Sequence, residues 1–368
     1  MKRRAFVTRS AVSAATVSAL AACAETAGTG TDASSLPRVN WRMATSWPPS
    51  LDTIYGGAQT VCRRVNEMTN GRFTITPYAA SELVPALQVM DAVEGGTVEC
   101  GHTASYYYIG KNPTLGFATT MPFGLTAQQQ NSWLYHGGGL EAMQKVYSDF
   151  NIINFPAGNT GTQMGGWFKR QVNSVADLNG MQLRVPGLGG TIMAEMGANV
   201  QVLPGSEVYL ALERGAIDAA EWVGPYDDLK LGLHRAAQYY YYPGWWEPGA
   251  TLDVLVNRRM WERLPEEYQQ VFVAATVEAN MTMLAQYDAL NGEALQELIE
   301  GGTILSSFSE EIMRRGEEIA LEIYEQTSQR NASFNEVYEN WRAFREVVQG
   351  WHHLNKFSFA QYSRNQSS

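Results

Sequence analysis

From Arg38 to Ser46 apolar and polar residues alternate, the period of a half-buried strand. Over residues 51–70 the period changes: Ile54, Ala58, Val61, Val65 and Met68 fall at helical spacing, and Asn70-Gly71 supplies a stop. A second strand is expected from Arg72 to Tyr78, a short helix over 84–94, and a third strand over 97–103 after Gly95-Gly96. This order, with short loops, predicts a mostly parallel α/β sheet. The pattern then recurs. Residues 151–157, 162–169, 181–185, 199–203 and 218–223 read as strands, with helical stretches at 188–197 and 206–214. Strand 251–256 (TLDVLV) is expected to return the chain to the first unit. Beyond 265 the pattern is helical, with one long helix over 265–300 and two more over 309–329 and 331–349. Two α/β units joined by several crossings imply a cleft with a hinge, in which a ligand lies near strand C-termini.

The first 22 residues break from this scheme. MKRRAFVTRSAVSAATVSALAA has a basic start and an apolar run from Ala11 to Ala22. Twelve residues are too few to span a bilayer, which takes about 20, so the segment reads as a signal peptide. Arg3-Arg4-Ala5-Phe6-Val7 resembles a twin-arginine export signal; an ordinary secretory signal with two chance arginines is the alternative. Leu20-Ala21-Ala22-Cys23 resembles a lipobox, which would make Cys23 a lipidated first residue. Cleavage at Ala19-Leu20-Ala21 is the alternative, with Cys23 incidental. Both readings place the mature protein in the periplasm, anchored to the membrane if Cys23 is lipidated. The small, polar stretch after Cys23 suits a flexible tether.

Composition narrows the function. Hydrophobic residues make up 45% of 368 and charged residues 17%, which suits a packed globular protein of about two domains. Net charge is −10; without residues 1–22 it is −14, from 23 basic and 37 acidic side chains. With no basic run beyond Lys2-Arg3-Arg4, nucleic acid is a poor partner. No further stretch is apolar and long enough for a membrane helix, so the body is expected to be soluble. Three cysteines cannot form a disulfide framework, and Cys62 and Cys100 are expected to stay unpaired.

Enzyme signatures are missing: there is no GxSxG, GxGxxG, GxxxxGK[ST] or HExxH, and the five histidines lack zinc-ligand spacing. Four loops at or beyond strand ends instead mix glycines and aromatics with polar groups: 102–110, 158–168, 219–228 and 239–249. Each alone could be core or interface; four at equivalent positions point to one lined cleft. Arg184 ends the strand MQLRV before a glycine-rich turn, where a guanidinium can hold a carboxylate through two parallel hydrogen bonds or form a structural ion pair. Glu221 and Glu247 lie beside tryptophans in charge-poor stretches; unless exposed, such carboxylates must be paired, protonated or metal-bound. With the amide oxygen of Gln163 they make a hard, oxygen-only set suited to Na⁺ or Ca²⁺.

Seven segments carry a resemblance: SLDTIYGGA (50–58), ELVPALQ (82–88), the turn from Thr97 to Tyr108, YHGGG (135–139), GNTGTQMGGWF (158–168), EWVGPYDD (221–228) and YPGWWE (242–247). Over roughly residues 38–350 the chain resembles the extracytoplasmic solute-binding subunit of a TRAP (tripartite ATP-independent periplasmic) transporter. The branch it resembles most binds α-keto acids or lactate together with a metal ion. The resemblance implies a two-domain periplasmic-binding-protein-like α/β fold with an interdomain cleft, a long connecting helix and a helical C-terminus. Residues 38–157 with 251–280 would form domain I, 158–250 with 281–350 domain II, 1–22 the signal peptide, 23–37 the tether and 351–368 a C-terminal extension.

The resemblance also implies that Arg184 clamps the substrate carboxylate, that Asn159 and Tyr106 or Tyr107 line the site, and that Gln163, Glu221, the carbonyl of Trp222 and Glu247 hold a cation bridging protein and ligand. Two carboxylates and the ligand against Arg184 leave −1 with Na⁺ and zero with Ca²⁺, which favours Ca²⁺ in a dry cleft; the keto-acid resemblance favours Na⁺. The expected function is capture of a small 2-oxo or 2-hydroxy monocarboxylate for the membrane subunits of the transporter, without catalysis. A carboxylate-dependent lyase or glycosidase, or a sensory ligand-binding domain, are the alternatives. The lipobox is unusual for this branch. A homodimer through exchanged C-terminal helices is a further expectation that the family branch supplies.

Overall fold

The computed structural model describes residues 36–366. The expected signal peptide, Cys23 and the tether up to residue 35 lie outside the described residues. The strands are β1 (Val39–Thr45), β2 (Phe73–Tyr78), β3 (Cys100–Thr103), β4 (Ile152–Asn159), β5 (Gly166–Phe168), β6 (Gln182–Arg184), β7 (Asn199–Gln201), β8 (Ala219–Ala220), β9 (Tyr239–Tyr242), β10 (Thr251–Asn257) and β11 (Ile304–Ser307). They form two sheets, in the orders β2-β1-β3-β10-β4 and β11-β9-β5-β8-β6-β7. We call each sheet with its helices a lobe.

Both sheets are mixed rather than mostly parallel. β10 runs antiparallel to β3 and β4, and β5 antiparallel to β8 and β9. The reason is connectivity. β5 follows β4 and β10 follows β9 through loops that pass from one sheet to the other, so neither strand needs the helical crossover that parallel neighbours require. β11 was not expected. It is a four-residue edge strand beside β9, mostly exposed, with no apolar alternation to betray it.

The helices are α1 (Ile54–Met68), α2 (Val89–Glu94), α3 (Gly116–Thr119), α4 (Ala127–His136), α5 (Gly139–Ser148), α6 (Gly187–Glu195), α7 (Gly205–Glu213), α8 (Pro225–Leu231), α9 (Arg258–Trp261), α10 (Glu266–Glu300), α11 (Glu310–Arg330), α12 (Ala332–His352) and α13 (Ser358–Gln366). In α1 the buried positions Ile54, Ala58, Val61 and Val65 form the predicted stripe, and the chain leaves it through Asn70 and Gly71, both at positive φ. α10 is the long connector. Tyr268, Phe272, Ala279 and Met283 are buried on its first half, where it packs on α1 and β4. Further along, its Tyr287 donates to Asp227 of α8 at 2.8 Å, so one rigid helix runs along both lobes.

α11 packs on α6 of the second lobe, whereas α12 packs on α4 and α5 of the first. Phe117 meets Phe334 and Trp341 there, and Trp133 Nε1 donates to Asn340 Oδ1 at 2.7 Å. Past Trp341 this cover thins: Phe344 and Val348 still pack partly on it, whereas Val347, Trp351, Leu354, Phe357, Phe359 and Tyr362 are all exposed. Cys62 and Cys100 are buried and free. No helix among the described residues is long and apolar enough to cross a membrane.

Candidate functional site

Sheet topology decides where the charged residues meet. In the second sheet β6, β8 and β9 share one direction and β5 opposes them. Arg184 closes β6, Glu221 follows β8, Glu247 lies in the loop beyond β9, and Gln163 lies just before β5. Three carboxyl ends and one amino end therefore converge at one edge. The first sheet faces that edge by the same rule. Trp47 lies beyond β1, Tyr106 and Tyr107 beyond β3 and Thr160 beyond β4, while Leu252 opens the antiparallel β10. Between the two edges is a small cavity lined by Trp47, Ile54, Tyr106, Tyr107, Thr160, Gln163, Arg184, Trp222, Val223 and Leu252.

Backbone hydrogen bonds lock the polar edge. Glu221 N donates to Arg184 O at 3.0 Å, Gln163 N to Glu247 O at 3.1 Å, and Gly244 N to Gln163 O at 2.9 Å. A β-carbon at Gly244 would stand 2.5 Å from Met164 O and 2.6 Å from Gln163 O, so the two loops can approach this closely only with glycine there. Arg184, Glu221, Glu247 and Gln163 are 1%, 1%, 3% and 4% exposed.

The guanidinium of Arg184 is largely committed. Nε donates to Leu203 O at 3.2 Å, and Nη1 to Glu221 Oε2 at 2.7 Å and Glu221 O at 2.8 Å. The Trp222 ring lies 5.1 Å from the guanidinium carbon. Nη2 alone has no partner. Of the two sequence readings of Arg184, the structure shows the ion pair, with Glu221, and Nη2 is the one donor of the guanidinium left open. Three buried oxygens beside it are also without partners: Gln163 Oε1, Glu221 Oε1 and Glu247 Oε2. The other end of the Gln163 amide donates to Thr160 Oγ1 at 3.0 Å, which turns its oxygen the opposite way.

Electrostatics mark these groups as incomplete on their own. Burial pushes the Glu221 carboxyl up to about 8 even though the Arg184 charge draws it down. Burial, reinforced by Glu221, raises Glu247 far above the carboxylate range, with Arg184 and Tyr106 opposing. Burial also works against the charge on Arg184, but Glu221 and its neighbours outweigh it and keep the guanidinium protonated. Two carboxylates and an amide, each with a spare buried oxygen, fit a hard cation, which would replace the protons that burial imposes. Among the described residues no group of three or more His, Cys, Asp or Glu side chains gathers into a metal cluster, so such a cation rests on this mixed oxygen set.

The structure brings Arg184, Gln163, Tyr106, Tyr107, Glu221, Trp222 and Glu247 together. It does not bring Asn159 to the cavity. The Asn159 side chain donates to Gly249 O and Thr251 Oγ1 and accepts from Gly161 N, which fixes the loop instead. Trp47, Ile54, Thr160, Val223 and Leu252 were missed. Trp47 is held by a buried histidine. Its Nε1 donates to His102 Nδ1 at 2.6 Å, so His102 carries its proton on Nε2, 3.3 Å from Ala157 O. Burial lowers the His102 pKa to about 4, which keeps the ring neutral.

The chain is similar to known proteins. A model of bacterial extracellular solute-binding protein family 7 matches residues 43–331. A Nostoc protein named as a monocarboxylate 2-oxoacid-binding periplasmic protein is 62% identical over 363 residues, 99% of each chain. A TRAP transporter solute-binding protein of Bordetella bronchiseptica, 46% identical, superposes with a TM-score of 0.89 over 90% of this chain and 98% of its own. It is described as a dimer of mixed occupancy, with copurified calcium and picolinate in one site. A TRAP solute-binding protein of Pseudoalteromonas atlantica, 35% identical, with a TM-score of 0.85 over 88% of this chain and 99% of its own, holds sodium and pyruvate.

Proposed function

Since the chain belongs to bacterial extracellular solute-binding protein family 7, we propose that it captures a small 2-oxo monocarboxylate of pyruvate size, with a bridging cation, for the membrane subunits of a TRAP transporter. One observation carries the reading: an unpartnered charged donor, Arg184 Nη2, in one site with three unpartnered acceptors, Gln163 Oε1, Glu221 Oε1 and Glu247 Oε2. A carboxylate oxygen on Nη2 satisfies the donor. A cation on the three acceptors then meets a second ligand oxygen next to that carboxylate. Pyruvate and picolinate, bound by the two similar structures, both carry a donor atom adjacent to the carboxylate. Gln163, Glu221, Glu247 and the carbonyl of Trp222 would hold the cation, which supplies positive charge where two carboxylates and a ligand anion converge. Ca²⁺ brings the site to neutrality, and Na⁺ leaves one negative charge. The family is one of transport receptors, so the paired glutamates serve binding rather than acid–base catalysis, and the enzyme and sensor alternatives give way.

Calorimetry with pyruvate, 2-oxobutyrate, lactate and succinate tests the reading. Pyruvate and its near relatives are expected to bind with micromolar or better affinity. Succinate is expected to bind worse, because its second carboxylate gains no second arginine. A preference for succinate would sink the proposal.

The family acts outside the cytoplasm. Anchoring through Cys23 is a further proposal, supported by the lipobox-like LAAC; Cys23→Ser should then release the protein into the soluble fraction. We also propose that the exposed apolar tail from Val347 to Tyr362 packs on a second copy, as its dimeric Bordetella relative suggests. Light scattering should show a dimer that truncation after Gly350 reduces to a monomer.

A further inference from the structure

The polar end of the cavity fixes a ligand's head, so the remainder of the ligand faces the opposite wall. That wall is Trp47, Ile54 and Leu252. Leu252 sits opposite Gly158 in the β4–β10 ladder, beside an irregularity of register at Leu252/Asp253. Neither Gly158 nor Gly57 on α1 has a side chain, and Met283 of α10 fills the space over both. A β-carbon on Gly158 would lie 2.6 Å from Met283 Sδ and 3.4 Å from Leu252 Cβ. One on Gly57 would clash with the Met283 methyl and lie 3.6 Å from His102 Nε2. Met283, 2% exposed, therefore packs over Gly158, which pairs with Leu252, and over Gly57, next to the histidine that pins Trp47, in the same buried cluster as Leu252 and Trp47.

These wall residues differ in freedom. Trp47 is tied by its indole to His102, and Ile54 is β-branched on a packed helix face. The unbranched thioether behind them fills irregular space and yields more easily than either. We propose that Met283 is a positioning residue that sets the depth of the apolar end of the cavity, and through it the carbon-chain length of the acid the protein prefers. This rests on the 2-oxo-acid reading above and deepens it.

Calorimetry in the presence of Ca²⁺ with pyruvate, 2-oxobutyrate and 2-oxovalerate tests it on wild type, Met283→Ala and Met283→Leu. Truncation to Ala lets Leu252 fall back, so the affinity for 2-oxovalerate relative to pyruvate should rise about tenfold, the worth of a methylene or so in an apolar pocket. Leu, of similar volume, should keep the wild-type ratio. Should the Ala variant fail to fold, Met283→Val and Leu252→Val are measured instead, and a shift of roughly threefold or more in the same direction is expected. A Met283→Ala protein with lower thermal stability and an unchanged ratio would overturn the inference, as would unchanged ratios in both Val variants. Wild type that binds none of the three acids would instead overturn the underlying 2-oxo-acid reading.

Discussion

The two faces of the cleft are built alike and finished differently. Each gathers strand ends at one sheet edge. On the second lobe that edge carries Arg184, Glu221, Glu247 and Gln163, each left with a buried polar atom lacking a partner. On the first lobe most polar groups behind the wall are paired, and the buried atoms without a partner, Thr53 Oγ1, Thr120 Oγ1, Asn154 Oδ1 and Asn280 Oδ1, belong to residues that do not line the cavity. His102 uses both ring nitrogens, Ser46 Oγ bonds Thr103 Oγ1 at 2.6 Å, and Asp253 accepts from Ser105 Oγ and Asn154 Nδ2. What the first lobe offers a ligand is mainly aromatic and aliphatic surface. A buried unsatisfied polar atom costs about 1–3 kcal/mol, so the four gathered on the second lobe poise that edge for a polar ligand, whereas those of the first lobe are scattered away from the cavity lining. On the proposed reading, head-group recognition falls to the second lobe and tail recognition to the first.

The comparison breaks most readily at Arg184. Arg184→Ala should reduce acid affinity by about 2–5 kcal/mol, roughly 30-fold to several-thousand-fold, because it removes Nη2 and also strands Glu221. Arg184→Lys should recover part of this, since a single ammonium cannot serve Glu221, Leu203 O and a ligand together. Calorimetry reads both. Next in size, Glu247→Gln should weaken cation and acid binding alike, by at least the roughly 10- to 100-fold typical of losing an outer-shell partner. The fold by which cation strengthens acid binding must equal the fold by which acid strengthens cation binding.

The finished character of the first lobe has its own signature. Burial raises the Asp253 carboxyl from 3.8 to about 7, against the pull of its hydrogen bonds to Ser105 and Asn154. The folded protein then keeps a proton that the unfolded chain releases above pH 3.8, so stability declines as pH rises from about 4 to 7. Thermal melts should show a lower Tm at pH 8 than at pH 5.5, and Asp253→Asn should flatten that slope while acid binding persists. The smallest effect belongs to the exposed rim. Asp52, on the first lobe, meets Lys230 and Tyr226 of α8 across the cleft mouth. Exposed pairs contribute about 0–1 kcal/mol, so Asp52→Asn should weaken acid binding no more than about fivefold, and less at high salt. A larger loss would mean that recognition is not confined to the cleft interior.

The grouping was legible because Glu221 and Glu247 lie beside tryptophans in charge-poor stretches, Gln163 lies in a glycine-rich loop before Trp167, and Arg184 ends a strand before a glycine-rich turn. Trp47, Ile54 and Leu252 were not, since apolar residues on a strand or helix that also serves the core look the same whether they face packing or a ligand. Asn159 misled for the converse reason: an Asn among glycines resembles a ligand group, but here its amide ties loop backbone. In the fold, α1, α10, α11 and α12 followed from long periodic patterns. α3 and α4 gave short and weakly periodic stretches, α5 was overlooked although its ten residues carry an apolar stripe of Met143, Val146 and Tyr147, and two strand directions depended on loops passing between sheets, which no local pattern encodes. Asp227 and Asp228 were not singled out in EWVGPYDD, yet both are buried, on Tyr287 and on Trp167 with Tyr240.

The central claim is that acid and cation share one incomplete polar face. The most direct test is calorimetric titration of pyruvate into protein stripped of cations with a chelator, repeated with Ca²⁺ and with Na⁺ restored. Pyruvate binding should be lost or at least tenfold weaker in the stripped protein, return with either ion, and be tighter with Ca²⁺. Equal pyruvate affinity in all three conditions would contradict the account, because the unpartnered oxygens of Gln163, Glu221 and Glu247 would then have no part in holding the ligand.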